Sequence, residues 1–178
     1  FQQQITNVNI EYQSLFYFIF PILGILLTLA IIRYGIKKPV NHGIPSVLYA
    51  LSKRKGIMPA YQMFASVFTA PITIGFGGSA GLEGPTVSGG ASIASNLSRL
   101  LHLNQATRSL LIGCAAAGAM SAIFKAPIAA IIFAIEVFSL DLTLASLLPL
   151  LFASISALLT TYFFFGSTQL LPFELKDI

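Results

Sequence analysis

Residues 14–36, SLFYFIFPILGILLTLAIIRYGI, carry a single charge, Arg33, in an otherwise almost unbroken apolar run. About 20 apolar residues are what one helix needs to cross the hydrocarbon core of a bilayer. Pro21 and Gly24 fit that reading, because neighbouring helices re-satisfy a broken backbone. The remainder of the chain has the same character: 56% of the 178 residues are hydrophobic and 9% are charged, against roughly 25% charged in soluble domains. The sequence therefore predicts an integral, multi-pass membrane protein built of helices. The single cysteine, Cys114, lies in a small-residue apolar run and reads as a buried hydrophobe, so no disulfide framework is expected. A net charge of +4 is too modest to point to nucleic acid. The chain opens on polar FQQQITNVN, which does not read as a cleavable signal peptide.

Six of the ten basic residues lie between 33 and 55 (Arg33, Lys37, Lys38, Lys53, Arg54, Lys55). The positive-inside rule puts this region on the cytoplasmic side and the N-terminal residues outside. Between the two clusters, NHGIP (41–45) precedes the short apolar run SVLYALS. That run is too short to span and suits a half-helix starting after Gly43, with Pro45 in its first turn. Residues 57–76 read as a second span, 85–101 as a small-residue helix, 105–124 as a further helix broken at Lys125-Ala126-Pro127, 128–140 as a short apolar helix and 142–165 as a last span. Residues 166–178 read as a polar loop.

The stretch Gly75–Gly90, GFGGSAGLEGPTVSGG, has glycine at seven of sixteen positions and one charge, Glu83. Burying an unpaired carboxylate in a membrane is costly, so Glu83 needs a partner or a task. The sequence predicts a loop to about Gly84 and a helix start at Pro85. Two helices thus begin after Gly- and Pro-containing breaks, near Ile44 and near Pro85. Broken helices at membrane depth are tolerated only where they line a cavity. Their N-termini carry free amides and positive dipole ends, which favour an anion. Glu83 is a built-in anion at such a start and can compete with a diffusing one. The two starts are expected to converge.

NHGIP (41–45), GLEGP (81–85) and GCAAAGAMSAIFKAPIAAIIFAIEVF (113–138) resemble the CLC family of chloride channels and proton/chloride antiporters. The corresponding motifs of that family read GSGIP, GREGP and a run like GAAAGLAAAFNAPLAG, in the same order. The resemblance covers about Tyr12 to Phe165. It implies an all-α membrane fold of tilted, unequal-length and broken helices, with residues 1–178 forming one transmembrane region. That region corresponds to the first half of an inverted-repeat subunit. The second half, with a third filter segment of the form GxFxP and a pore tyrosine, is absent from the sequence. The resemblance implies a filter made of Asn41, His42, Gly43, Ile44, Pro45, Gly81, Leu82, Glu83, Gly84 and Pro85, with Glu83 as the gate. Leu82 replaces the family's arginine, His42 a serine, Asn41 a glycine and Ser46 a glutamate. Lys125 replaces an asparagine and is expected near the inner mouth, with Glu136 and Val137 along an inner pathway. Proton-coupled members carry a second glutamate where Val137 stands, whereas channel members read Glu-Val.

The expected function is passive, channel-like conduction of chloride or a similar monovalent anion. Proton-coupled antiport is the alternative. The family also implies a homodimer through helices in 128–165, embedded in a lipid bilayer, here assigned to the plasma (inner) membrane. No enzyme activity, cofactor, metal or nucleic acid is expected. A remote alternative is an intramembrane serine hydrolase, because Gly77-Gly78-Ser79-Ala80-Gly81 matches G-x-S-x-G. That motif needs a preceding strand and a partner histidine; an apolar run precedes it here, and the only histidine after it is His102. A faint dinucleotide-loop match, Gly75-x-Gly77-x-x-Ala80, lacks a surrounding βαβ unit. A purely structural membrane subunit does not require Glu83 in a glycine loop.

Overall fold

The computed structural model describes residues 10–38, 40, 43–79 and 81–166, with side chains from residue 19 onward. Within them the chain is helical throughout. Helix α1 (Ile10–Ala30) continues into a π-helical turn (Ile31–Ile36). It is followed by α2 (Ile44–Lys53), α3 (Tyr61–Gly75), α4 (Glu83–Leu100), α5 (Gln105–Phe124), α6 (Pro127–Phe138) and α7 (Leu144–Phe165). Among the described residues three helical stretches are long and apolar enough to cross a membrane: Ile19–Ile36, Gln105–Phe124 and Leu144–Phe165. The protein is an all-α integral membrane protein whose helices range from 10 to 22 residues.

Helix α5 is the hub, packed against α4, α6 and α7. In lipid there is no hydrophobic drive between helices, so close backbone packing has to hold them. The run GCAAAGAMSA supplies it. A Cβ placed on Gly90 of α4 would stand 3.3 Å from the carbonyl oxygen of Ala115, and one on Gly118 would stand 3.5 Å from that of Ala153 in α7. Val47, Val87, Ile112, Ala116, Ala117 and Leu150 are fully buried in the resulting core. Cys114 is buried there too, as its sequence context predicts. Helix α1 is attached more lightly, mainly through α3, and buries Gly24 directly against Phe76.

Two starts differ from expectation. Helix α3 has 15 residues rather than 20, which makes it about 22 Å long, short of the roughly 30 Å hydrocarbon core. Its start is delayed because residues 56–59 are held by serines of α4. Ser95 Oγ donates to the Gly56 carbonyl (2.6 Å) and accepts from the Met58 amide (2.9 Å), and Ser92 Oγ donates to the Pro59 carbonyl (3.1 Å). Helix α4 starts at Glu83, two residues before the expected Pro85, so the proline occupies the third helical position. Its missing N–H is still one of the first four that lack an intrahelical partner. At the other end α6 stops at Phe138, where Ser139 turns left-handed (φ 50°). The polar loop expected from residue 166 lies outside the described residues beyond Gly166.

Most of the described basic residues gather at one end of the bundle, Lys125 excepted. Arg108 in α5 donates to Ser98 Oγ (3.0 Å), the Lys55 carbonyl (3.1 Å) and the Leu103 carbonyl (3.1 Å). It thereby joins the α2–α3 and α4–α5 connections. Lys38 lies over the Tyr61 ring at the start of α3, 5.4 Å from its centroid. The ends of α1, α2 and α4 and the starts of α3 and α5 therefore share one side, as the positive-inside pattern anticipates.

Candidate functional site

Four of the seven helices start without a side-chain cap, and two of those starts touch. Asn104 caps α5 by accepting from the Thr107 amide at 2.8 Å, and Thr143 caps α7 by accepting from the Ser146 amide at 3.3 Å. Neither Gly43 before α2 nor Leu82 before α4 makes such a bond. Gly43 has φ 87° and ψ −179°, a conformation open to glycine and strained for any other residue. A Cβ on Gly84 would stand 3.2 Å from the Gly43 Cα, so any residue larger than glycine here forces the two helix starts apart. The expected convergence is therefore met by direct backbone contact.

The amides of Ile44, Glu83 and Gly84 have no partner among the described residues. Those further in are engaged: Ser46 N–H bonds the Gly43 carbonyl at 3.2 Å and Thr86 N–H bonds the Leu82 carbonyl at 3.1 Å. Pro45 and Pro85 have no N–H to offer. Each helix start also carries about half a positive charge from its dipole. Two uncapped starts in contact put two positive dipole ends side by side.

Beside this contact lies a cleft of about 370 Å³, lined by Gly43, Gly81, Pro85, Thr28, Thr69 and Thr73 among others. The Thr28 and Thr73 hydroxyls share a hydrogen bond of 3.3 Å across the α1–α3 interface. Thr69 and Thr73 each bond the carbonyl four residues back, at 2.8 and 2.9 Å. Thr28 stands 41 residues before Thr69 and 45 before Thr73 in an apolar run, and reading the sequence did not single these threonines out. The i, i+4 spacing of Thr69 and Thr73 is the one local hint.

Glu83 is half-buried at the first position of α4, and its carboxylate folds back over Gly81, into the space a Cβ there would fill. No side-chain hydrogen bond or ion pair involves it among the described residues. Leu82 is 44% exposed and turns to a groove of about 670 Å³ between α3, α4, α5 and α7. Ile44, Pro45, Gly81, Gly84 and Pro85 all lie at the two helix starts. Asn41 and His42 lie outside the described residues.

The three residues expected along an inner pathway are not brought to this point. Lys125 turns left-handed (φ 54°) at the end of α5 opposite Arg108 and the other basic residues. Its Nζ donates to the Gly166 carbonyl at 3.1 Å and lies 4.9 Å from the Tyr162 ring centroid. It ties the α5–α6 corner to the end of α7. On α6, Glu136 is exposed and Val137 packs towards the core, as expected of successive residues about 100° apart on a helix. Ser79 is exposed in the loop before α4, whereas His102 follows its far end; 18 helical residues put them about 27 Å apart. They form no nucleophile–base pair. No group of three or more His, Cys, Asp or Glu side chains able to hold a metal occurs among the described residues.

A family model described as voltage gated chloride channel matches residues 22–177. A ClcB-like protein of Ralstonia nicotianae is 28% identical over 158 residues, 85% of this chain and 37% of that protein. An H(+)/Cl(-) exchange transporter, ClcA of Vibrio cholerae, is 33% identical over 95 residues, 53% of this chain and 20% of its own length. A chloride/fluoride channel protein of Pseudomonas syringae pv. tomato is 25% identical over 138 residues, 77% of this chain and 30% of its own length. The chain thus spans little more than a third, at most, of these curated relatives. No solved structure matched. With the match running from α1 through α7, and taking in both touching helix starts, the chain belongs to the voltage-gated chloride channel family.

Proposed function

We propose that residues 1–178 form one transmembrane region of an anion-transporting subunit, corresponding to the first half of the inverted-repeat fold. The transported ligand is chloride or a similar monovalent anion, and no cofactor takes part. The observation that carries this reading is the contact of two uncapped helix starts beside a cleft, where the amides of Ile44, Glu83 and Gly84 have no partner among the described residues. Glu83 is the gate: its carboxylate occupies the place of the anion, and its protonation or displacement clears the way. Gly43, Ile44, Pro45, Gly81, Leu82, Gly84 and Pro85, with Asn41 and His42, make the filter. Relatives named as channels and relatives named as exchangers both support anion transport.

Conduction is passive in this proposal. Exchange needs a proton acceptor on the inner route, and Val137, turned to the core, cannot bind one. The whole protein is a homodimer in the plasma (inner) membrane, joined through α6 and α7, whose outward faces carry Ile128, Ile132, Leu148, Phe152 and Leu159. A single mass-photometry species at monomer mass in mild detergent counts against the dimer.

The test uses the full-length protein in liposomes. Glu83→Gln removes the competing charge, so anion flux at neutral pH should rise towards its acid-pH level, and the pH dependence should flatten. A charge-assisted contact of about 1.5–3 kcal/mol corresponds to about a tenfold change or more. Unchanged flux and pH response remove Glu83 from the mechanism. Sustained uphill chloride movement under a proton gradient, with no initial anion gradient, overturns passive conduction in favour of antiport.

A further inference from the structure

A second cleft, of about 360 Å³, runs beside α2 on the basic side of the molecule. Its lining includes Arg54 at the end of the helix, Tyr49 and Gln62 along the way, and Val40, Pro45 and Ser46 at the start. Helix α2 has 10 residues, so the cleft extends over about 15 Å. Its inner end lies at the first turn of α2, where Ser46 Oγ donates to the Gly43 carbonyl at 2.8 Å. Gly43 is the residue that touches Gly84 and lines the cleft described above. The two clefts therefore approach the start of α2 from two directions.

Arg54 is not a loose surface cation. It caps the end of α2 through its amide, which bonds the Ala50 carbonyl at 3.0 Å. Its guanidinium lies over the Tyr49 ring, 5.4 Å from the centroid. Such stacking holds a cation in one place without neutralising it. No carboxylate pairs with it among the described residues, and Lys53 and Lys55 flank it in the chain. An unneutralised cation at the mouth of a cleft raises the local concentration of anions.

We infer that Arg54 is an anion-recruitment station at the mouth of an access cleft leading along α2 to the helix starts. This rests on the anion-pathway reading above and adds a specific residue to it. Arg54 acts as a positioning charge: it gathers the anion at the mouth and is distinct from the donors at Ile44, Glu83 and Gly84. Its effect is electrostatic, so it must fade as salt shortens the screening length from about 30 Å at 0.01 M to about 3 Å at 1 M.

The experiment compares Arg54→Glu, Arg54→Lys and Lys53→Glu with the wild type, as full-length protein in liposomes with chloride as the probe. At about 10 mM chloride, Arg54→Glu should lower the flux entering from the basic side by about fivefold, and at about 500 mM the difference should disappear. Arg54→Lys keeps the charge and should retain most of the flux. Lys53→Glu, which does not line the cleft, should change it by less than half as much as Arg54→Glu. Equal loss at both salt concentrations, loss in Arg54→Lys as large as in Arg54→Glu, or no loss at all overturns the inference. If the wild type conducts and Glu83→Gln alters its flux while Arg54→Glu matches the wild type, only the recruitment station falls. A wild type that carries no anion overturns both readings.

Discussion

Helix α4 has a connection at each end, and the two are built on opposite principles. At its basic end, the 55–59 and 98–108 segments leave few polar groups to chance. Ser92, Ser95 and Arg108 bond carbonyls and an amide that the broken helices expose, and Ser98 accepts from Arg108. At its other end, the turn from Gly81 to Pro85 has no side-chain cap, and among the described residues neither the amides of Glu83 and Gly84 nor the Glu83 carboxylate has a partner. Unpaired polar groups in low dielectric cost free energy, so the fold satisfies them where only stability is at stake. On the proposed function, the difference separates a structural joint from a place kept open for a ligand.

The comparison can be broken by substitution, starting where the largest effect is expected. Arg108→Leu removes three donated bonds and leaves the Lys55 and Leu103 carbonyls without them. It should cost about 3 kcal/mol or more, since bonds from charged groups contribute about 1.5–3 kcal/mol each and partial exposure discounts the sum. A thermal melt in detergent should show a clear drop in Tm, with flux per folded molecule preserved. A melt unchanged from wild type would mean that the basic end is not the structural joint.

Ser95→Ala should cost less, about 1–3 kcal/mol, because the Met58 amide and Gly56 carbonyl lose a buried partner. The same melt reads it, and flux should again follow the folded fraction. Gly84→Ala sharpens the contrast from the other end. The added methyl meets Gly43, and the cost in stability should stay near about 1 kcal/mol, at the low end for overpacking. Flux should nevertheless fall severalfold more than in Ser95→Ala. If Gly84→Ala lowers Tm more than Ser95→Ala and leaves flux intact, the assignment of the two ends is reversed.

Local chemistry in the sequence was enough to place most of the helices. Asn104 and Thr143 are short-range caps, and α5 and α7 start within two residues of where the sequence puts them. Gly43-Ile44-Pro45 marked the start of α2 for the same reason. What failed was anything decided by distant partners. The delayed start of α3 depends on serines 33 to 39 residues away, read at first only as small residues in a packed helix. Thr28 enters the cleft wall through a partner 45 residues on, inside an apolar run where a hydroxyl carries no pattern. The bond from Lys125 to the Gly166 carbonyl likewise crosses 41 residues and leaves no local signal. The touching of Gly43 and Gly84 was anticipated because both lie at breaks whose dipoles have one use in common.

Gly24 has no polar chemistry at all, yet much depends on it. It is the point at which α1, otherwise turned towards lipid along most of its length, comes flush against Phe76. One turn further along the same helix, Thr28 closes the wall of the cleft beside Gly43 and Gly81. A larger residue at position 24 would lever α1 away from α3 and pull that wall open sideways. Acyl chains, which need only an apolar gap, would then reach the cleft proposed for the anion. The seal between the bilayer and the cleft is thus set by the absence of a side chain.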